Sequence, residues 1–110
     1  MHIAEKMDKL LLCCEAARAD GWTIGATGET IAEERGCCCP FGALAIAAGL
    51  DNADTKLSEL TIKILGVSNE WAYDFMRGFD GPEYQDAAGL PNDDLAYNYG
   101  KAFRTLYAAL

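Results

Sequence analysis

The stretch Gly36-Cys-Cys-Cys-Pro-Phe-Gly-Ala-Leu-Ala-Ile-Ala-Ala-Gly-Leu50 limits this chain more than any other, because nearly all of it avoids water and very little of it is large. Pro40 suits the first position of a helix, where its missing amide has no hydrogen bond to lose, and this places Cys39 at the N-cap. Gly42, Ala45 and Gly49 then fall on one face. A face with so little side chain invites close approach by another helix, whereas glycine in an exposed helix only costs stability. The helix is therefore expected to be central and crossed by a neighbour. It does not read as a membrane span: the apolar run from Cys37 to Leu50 is broken by Pro40, Gly42 and Gly49 and is shorter than the roughly 20 residues a span requires.

The rest of the chain has enough apolar material to surround it. A length of 110 residues with 51% hydrophobic residues suits one folded domain, 1–110, and is far from the composition of disordered chains. Ile3, Met7, Leu10, Leu11, Cys14 and Ala17 follow the three-and-four spacing of an amphipathic helix ending near Asp20-Gly21. Residues 22–31, rich in Gly and Thr, suit a turn or small hairpin. Thr30 and Glu33 have capping-box spacing for a short helical turn before Gly36. Asp54 is placed to cap a third helix carrying Leu57, Leu60, Thr61, Ile64 and Leu65 inward, and Ser68 a fourth carrying Trp71, Phe75 and Met76, with Gly78 as its stop. A last helix, from about Asp93 to Ala109, shows Leu95, Tyr99, Phe103 and Leu106 on one side. The expected fold is mainly α, a bundle of about five helices with room for one short β-hairpin near residues 22–31.

Chemistry is sparse in this sequence. The five cysteines include the adjacent pair Cys13-Cys14 and the triplet Cys37-Cys38-Cys39, a poor pattern for loop-closing disulfides. A thiol at a helix N-terminus is the best candidate for a reactive thiolate. Nucleophilic catalysis also needs a base, and the single histidine is His2. Neither a CxxC pair nor a phosphate-binding glycine loop with its lysine occurs, and Asp80 to Asp86 lacks the ligand spacing of an EF-hand. Reduced thiols packed beside glycine and alanine are the preferred reading, with no catalytic residue, metal or cofactor expected.

Leu60 to Gly78 resembles a helix-turn-helix, but its second helix offers Glu70, Tyr73, Asp74 and only Arg77 where bases and phosphates call for cations and amides. Nucleic acid is disfavoured for the same reason at larger scale: net charge is −8, and Glu70, Asp74, Asp80, Glu83, Asp86, Asp93 and Asp94 crowd one segment with Arg77 alone to offset them. An acidic segment of this kind suits a protein partner with a basic surface. Tyr73 and Tyr97 cannot both be buried along with their aromatic neighbours, so they are expected as exposed anchors within it. The candidate protein-binding residues are Glu70, Tyr73, Asp74, Arg77, Asp80, Glu83, Asp86 and Tyr97. No membrane contact is expected, and a homodimer is compatible. The charged amino-terminal stretch has no apolar h-region, which leads to the expectation of a cytoplasmic protein.

Gly21-Trp-Thr-Ile-Gly-Ala26 followed by Cys39-Pro-Phe-Gly-Ala-Leu44 is similar to a pattern in small uncharacterised bacterial and bacteriophage proteins, in which a first helix leads to such a turn and then to a Cys-x-x-Gly-Ala-Leu helix. Gly78-Phe-Asp-Gly81 and the Tyr-x-x-Gly-x-x-Phe-Arg run from Tyr97 to Arg104 resemble such products more loosely. The resemblance implies a fold and a phage-like origin, and carries no activity. The expected function is that of an acidic phage or mobile-element accessory protein, without catalysis of its own, that binds and inhibits a host protein. Three alternatives stand beside it: sequestration of a nucleotide signal by the helix N-termini near Cys39 or Ser68, thiol or metal chemistry at the cysteines, and a degenerate DNA-binding helix-turn-helix.

Overall fold

A computed structural model describes residues 2–26, 30–50, 57–81 and 93–108. The described residues form a mainly α fold with five helices and one small three-stranded sheet. The chain divides into two compact units, Met1–Gly66 and Val67–Leu110.

In the first unit, helix α1 (Ile3–Ala19) buries Met7, Leu10, Cys14 and Ala17, the stripe its spacing predicts. His2 caps it, with Nδ1 accepting the Ala4 amide at 3.4 Å. Helix α2 (Pro40–Ala47) begins at Pro40 behind the N-cap Cys39, and every residue from Pro40 to Ala45 is buried. It packs against α1 and against α3 (Leu57–Leu65). This is the central helix the sequence calls for, but its glycines act differently from the expectation. A Cβ on Gly42 would strike the carbonyl of Thr30 and come within 2.9 Å of the Cys38 Cβ, so the close neighbour is an extended segment rather than a helix. A Cβ on Gly49 would meet no neighbouring atom; this glycine ends the helix at φ +72°, with its own amide donating to the Ile46 carbonyl and that of Leu50 to Ala45. The carbonyl end of α3 is closed by Lys6 of α1, whose ammonium donates to the Gly66 carbonyl, where a cation also favours the helix dipole. Asp54 lies outside the described residues, and Ile64, at 39% exposure, faces outward rather than into the core.

The sheet joins β1 (Thr23–Ile24), β2 (Ile31–Ala32) and β3 (Cys37–Cys38) in the order β1-β3-β2. The outer strands are the two ends of the segment expected to form a hairpin, and they do not pair with each other. β3 inserts between them, parallel to β1 through Thr23↔Cys37 and Ile24↔Cys38 and antiparallel to β2 through Ile31↔Cys38 and Ala32↔Cys37. A 3-10 turn, Glu33–Arg35, links β2 to β3 and ends on Gly36 at φ +64°. Thr30 does not cap that turn; its N-cap is Ala32, without a side-chain bond. The Thr30 carbonyl instead accepts the Cys39 amide at 3.2 Å, which continues the β2–β3 ladder to the start of α2.

The second unit is a helix pair, α4 (Asn69–Asp80) and α5 (Asp94–Ala108). Ser68 caps α4 as expected, accepting the Trp71 amide at 3.0 Å. Gly78 does not end the helix, which runs two residues further, with Gly81 at φ +86° beyond it. Gly78 is where the two helices meet. Its Cβ would strike the Tyr97 carbonyl, and a Cβ on Gly100 would strike the Phe75 carbonyl and lie 2.9 Å from the Phe79 amide. With neither Cβ present, the backbones cross in contact, and the rings close around the crossing. Trp71 stacks on Phe75 at 5.4 Å, Phe75 meets Phe103 edge-on at 5.3 Å, and Tyr107 lies 6.4 Å from Phe103.

Candidate protein-binding surface

Helix α4 sorts its side chains by phase. Trp71, Ala72, Phe75, Gly78 and Phe79 make its buried arc, while Glu70 and Tyr73 are exposed and Arg77 and Asp80 partly so. At 100° per residue, Glu70, Tyr73, Arg77 and Asp80 form one outward stripe. Tyr73 keeps 51% of its surface in solvent, and the Arg77 guanidinium sits 5.6 Å from the centre of its ring.

Asp74 does not belong to this surface. It is 1% exposed, and its carboxylate accepts the Asp93 backbone amide through Oδ2 at 2.8 Å while Oδ1 lies 3.6 Å from Arg77 Nη1. Asp93 in turn accepts the Ala96 amide through Oδ1 at 3.0 Å, which makes it the cap of α5. The sequence reading placed Asp74 outside because it counted charge along the segment. By phase it sits three residues after Trp71 and one before Phe75, on the flank of the buried arc. Its role is to fasten the start of α5 to α4.

Arg77 is likewise less available than a surface cation. Its side chain is 10% exposed, and it spans the distance from the buried Asp74 carboxylate to the exposed Tyr73 ring. Tyr97 is half-buried beside the helix crossing, with Lys101 Nζ 5.1 Å over its ring. Tyr73 and the Gly78 position that meets the Tyr97 backbone lie about 140° apart around α4, so the two tyrosines do not share one face of that helix. Asp80 is half-buried, and burial pushes its carboxyl above the usual carboxylate range. Glu83 and Asp86 lie outside the described residues. Leu95 and Leu106, which the spacing puts on one side of α5 with Phe103, part from it in the structure and stand outward at 53% and 46% exposure. Ala96 and Gly100 take the inner face in their place, with Phe103 and Tyr107. Small residues at i and i+4 were the available signal, since only they admit a backbone that close.

The alternative chemistries find little to work with. None of the five cysteines is in a disulfide. Cys38 is fully buried at the centre of the sheet, and burial, with Cys39 and Cys37 adding to it, pushes its thiol up to about 12. Burial also raises Cys13, against the opposing pull of Lys9. The Cys37 thiol donates to the Arg35 carbonyl at 3.5 Å. A thiol raised in this way stays protonated at neutral pH and is a poor nucleophile. Among the described residues, no three His, Cys, Asp or Glu side chains are grouped to hold a metal ion. The first turn of α2 is buried with the Thr30 backbone against it, and the Ser68 hydroxyl is engaged by Trp71, which leaves an anion little access to either end. The one cation that a helix-turn-helix would turn toward phosphate, Arg77, is paired with Asp74. Among the described residues, no helix is long and apolar enough to cross a membrane. The chain matches no family model, no curated protein and no solved structure.

Proposed function

We propose that this chain is a non-catalytic binding protein that engages a protein partner through the outer face of α4, with Tyr73 as the anchor and Glu70 and Asp80 beside it. The observation that carries the reading is the arrangement at Tyr73, an aromatic ring 51% exposed and lying against an arginine that is itself held by a buried carboxylate. A ring whose orientation is already restrained loses little freedom on binding, and tyrosine offers both apolar area and a hydroxyl to a partner. Glu70 and a net charge of −8 favour a basic partner surface and faster encounter with it. Inhibition of a host protein by a phage or mobile-element product is the biological setting that the motif resemblance supports.

Immobilised wild-type protein should retain a partner that is lost from both Tyr73→Ala and Glu70→Lys columns while the far-ultraviolet dichroism of all three proteins is the same. Equal retention on the three columns would contradict the proposal. Asp74 is unsuited to such a test, because a charge reversal there disrupts the helix pair itself.

A further inference from the structure

We infer that the open face of the Tyr73 ring takes an arginine of the partner protein, whose guanidinium stacks on the ring and pairs with the Glu70 carboxylate. The inference rests on the α4 surface proposed above and names the group that this surface holds. Arg77 shows the same chemistry within the chain. Its guanidinium lies over the Tyr73 ring, 5.6 Å from the centroid, and is backed by Asp74, whose Oδ1 is 3.6 Å from Nη1. Side chains on a helix lean toward its N-terminus, so Arg77 reaches the ring from the C-terminal side, and the opposite face turns toward the preceding turn, which carries Glu70. Tyr73 is 51% exposed, and Glu70 is exposed as well. Residues three apart on a helix stand about 5–6 Å apart at Cβ, so one guanidinium can touch both. Among the described residues, Glu70 enters neither of the ion pairs that form.

The charge beside the ring selects what fits. Arg77 is offset by Asp74, which leaves Glu70 as the outward charge next to Tyr73. With a second guanidinium in place, the ring would lie between two cations, each facing a carboxylate, and the group as a whole would carry no net charge. An anion would be repelled by Glu70, and an aliphatic side chain would strip water from that carboxylate without replacing it. Of the two cationic side chains, arginine fits better than lysine. Its planar guanidinium is weakly hydrated and stacks on a ring while its edge still donates N–H groups to a carboxylate, whereas an ammonium keeps its water and acts as a point charge.

Nuclear magnetic resonance titration of the full chain with capped hexa-arginine and hexalysine peptides, equal in charge, tests this. Hexa-arginine should bind about threefold or more tighter than hexalysine, the advantage of a stacked guanidinium at an exposed ring, and its δ-methylene protons should move upfield under the Tyr73 ring current. The preference should vanish in Tyr73→Leu and persist in Tyr73→Phe, which keeps the ring. Glu70→Gln should weaken hexa-arginine binding by about threefold, whereas Glu34→Gln, which removes another exposed acidic charge, should change it less. Equal affinity for the two peptides, a preference that survives Tyr73→Leu, or no binding of either peptide would overturn the inference. A protein partner lost from the Tyr73→Ala column, beside peptides that bind alike, would leave the α4 surface standing and remove arginine from it. A partner retained on that column would remove both.

Discussion

Asp74 and Arg77 show how three neighbouring charges on one helix can do different work. Glu70 is solvated, Asp74 is buried and Arg77 joins the interior to the surface. The buried Asp74 carboxylate accepts the Asp93 amide and lies 3.6 Å from the Arg77 guanidinium, so its removal takes from both the charge they face, and Asp74→Ala should cost about 3 kcal/mol in urea unfolding, against less than about 0.5 kcal/mol for Glu70→Ala. Equal costs would place Asp74 outside the fold. The thiols divide by the same criterion. Alkylation of the native protein near pH 8 should label Cys37 first and Cys13, whose thiol burial raises, more slowly, and spare Cys14, Cys38 and Cys39, read by mass spectrometry of the digested chain. Cys38 also sets a pH dependence. Its thiol rises from 9.0 to about 12 on folding, so the folded state holds the proton more tightly, and its contribution is complete below pH 9 and lost as pH climbs toward 12. Thermal melts should therefore show stability falling across that window, less steeply in Cys38→Ala. A Cys38→Ala variant with the same slope as wild type would contradict the assignment.

At the scale of elements, ends were more legible than faces. Pro40, Ser68 and the Asp20-Gly21 stop mark helix boundaries through local hydrogen-bonding needs, which a sequence shows directly. The inner face of α5 was misread because the rule follows large apolar residues, whereas the face is chosen by Ala96 and Gly100, which let α4 come close. Gly78 reads as a stop for a related reason, since glycine serves both helix ends and helix crossings. Sheet order was beyond reach, because six strand residues pair across loops and nothing local says that β3 lies between the other two. Of the candidate site, the exposure of Tyr73 was legible from its aromatic neighbours, whereas the burial of Asp74 needed the helix phase as well. The crossing makes a prediction that runs against intrinsic propensity. Gly→Ala in an exposed helix gains up to about 1 kcal/mol, but Gly78→Ala and Gly100→Ala should each lower stability by about 1–3 kcal/mol through overpacking. Stabilisation by either change would mean that the helices do not touch there.

For the whole molecule, a net charge of −8 governs encounter more than affinity. Association with a basic partner should slow as salt shortens the screening length from about 30 Å at 0.01 M to about 10 Å at 0.1 M, while dissociation of the anchored complex changes less. Salt-independent association would remove the acidic surface from the binding step. The most direct measurement is photo-crosslinking in cells, with a benzophenone side chain placed at Tyr73 and, as a control on a still more open position, at Leu12, which is 71% exposed on α1. A discrete adduct from position 73, absent from position 12 and lost when Glu70→Lys is added, is the expected result. No discrete adduct from position 73, or the same adduct from both positions, would contradict the assignment of the outer face of α4 as the surface through which this chain acts.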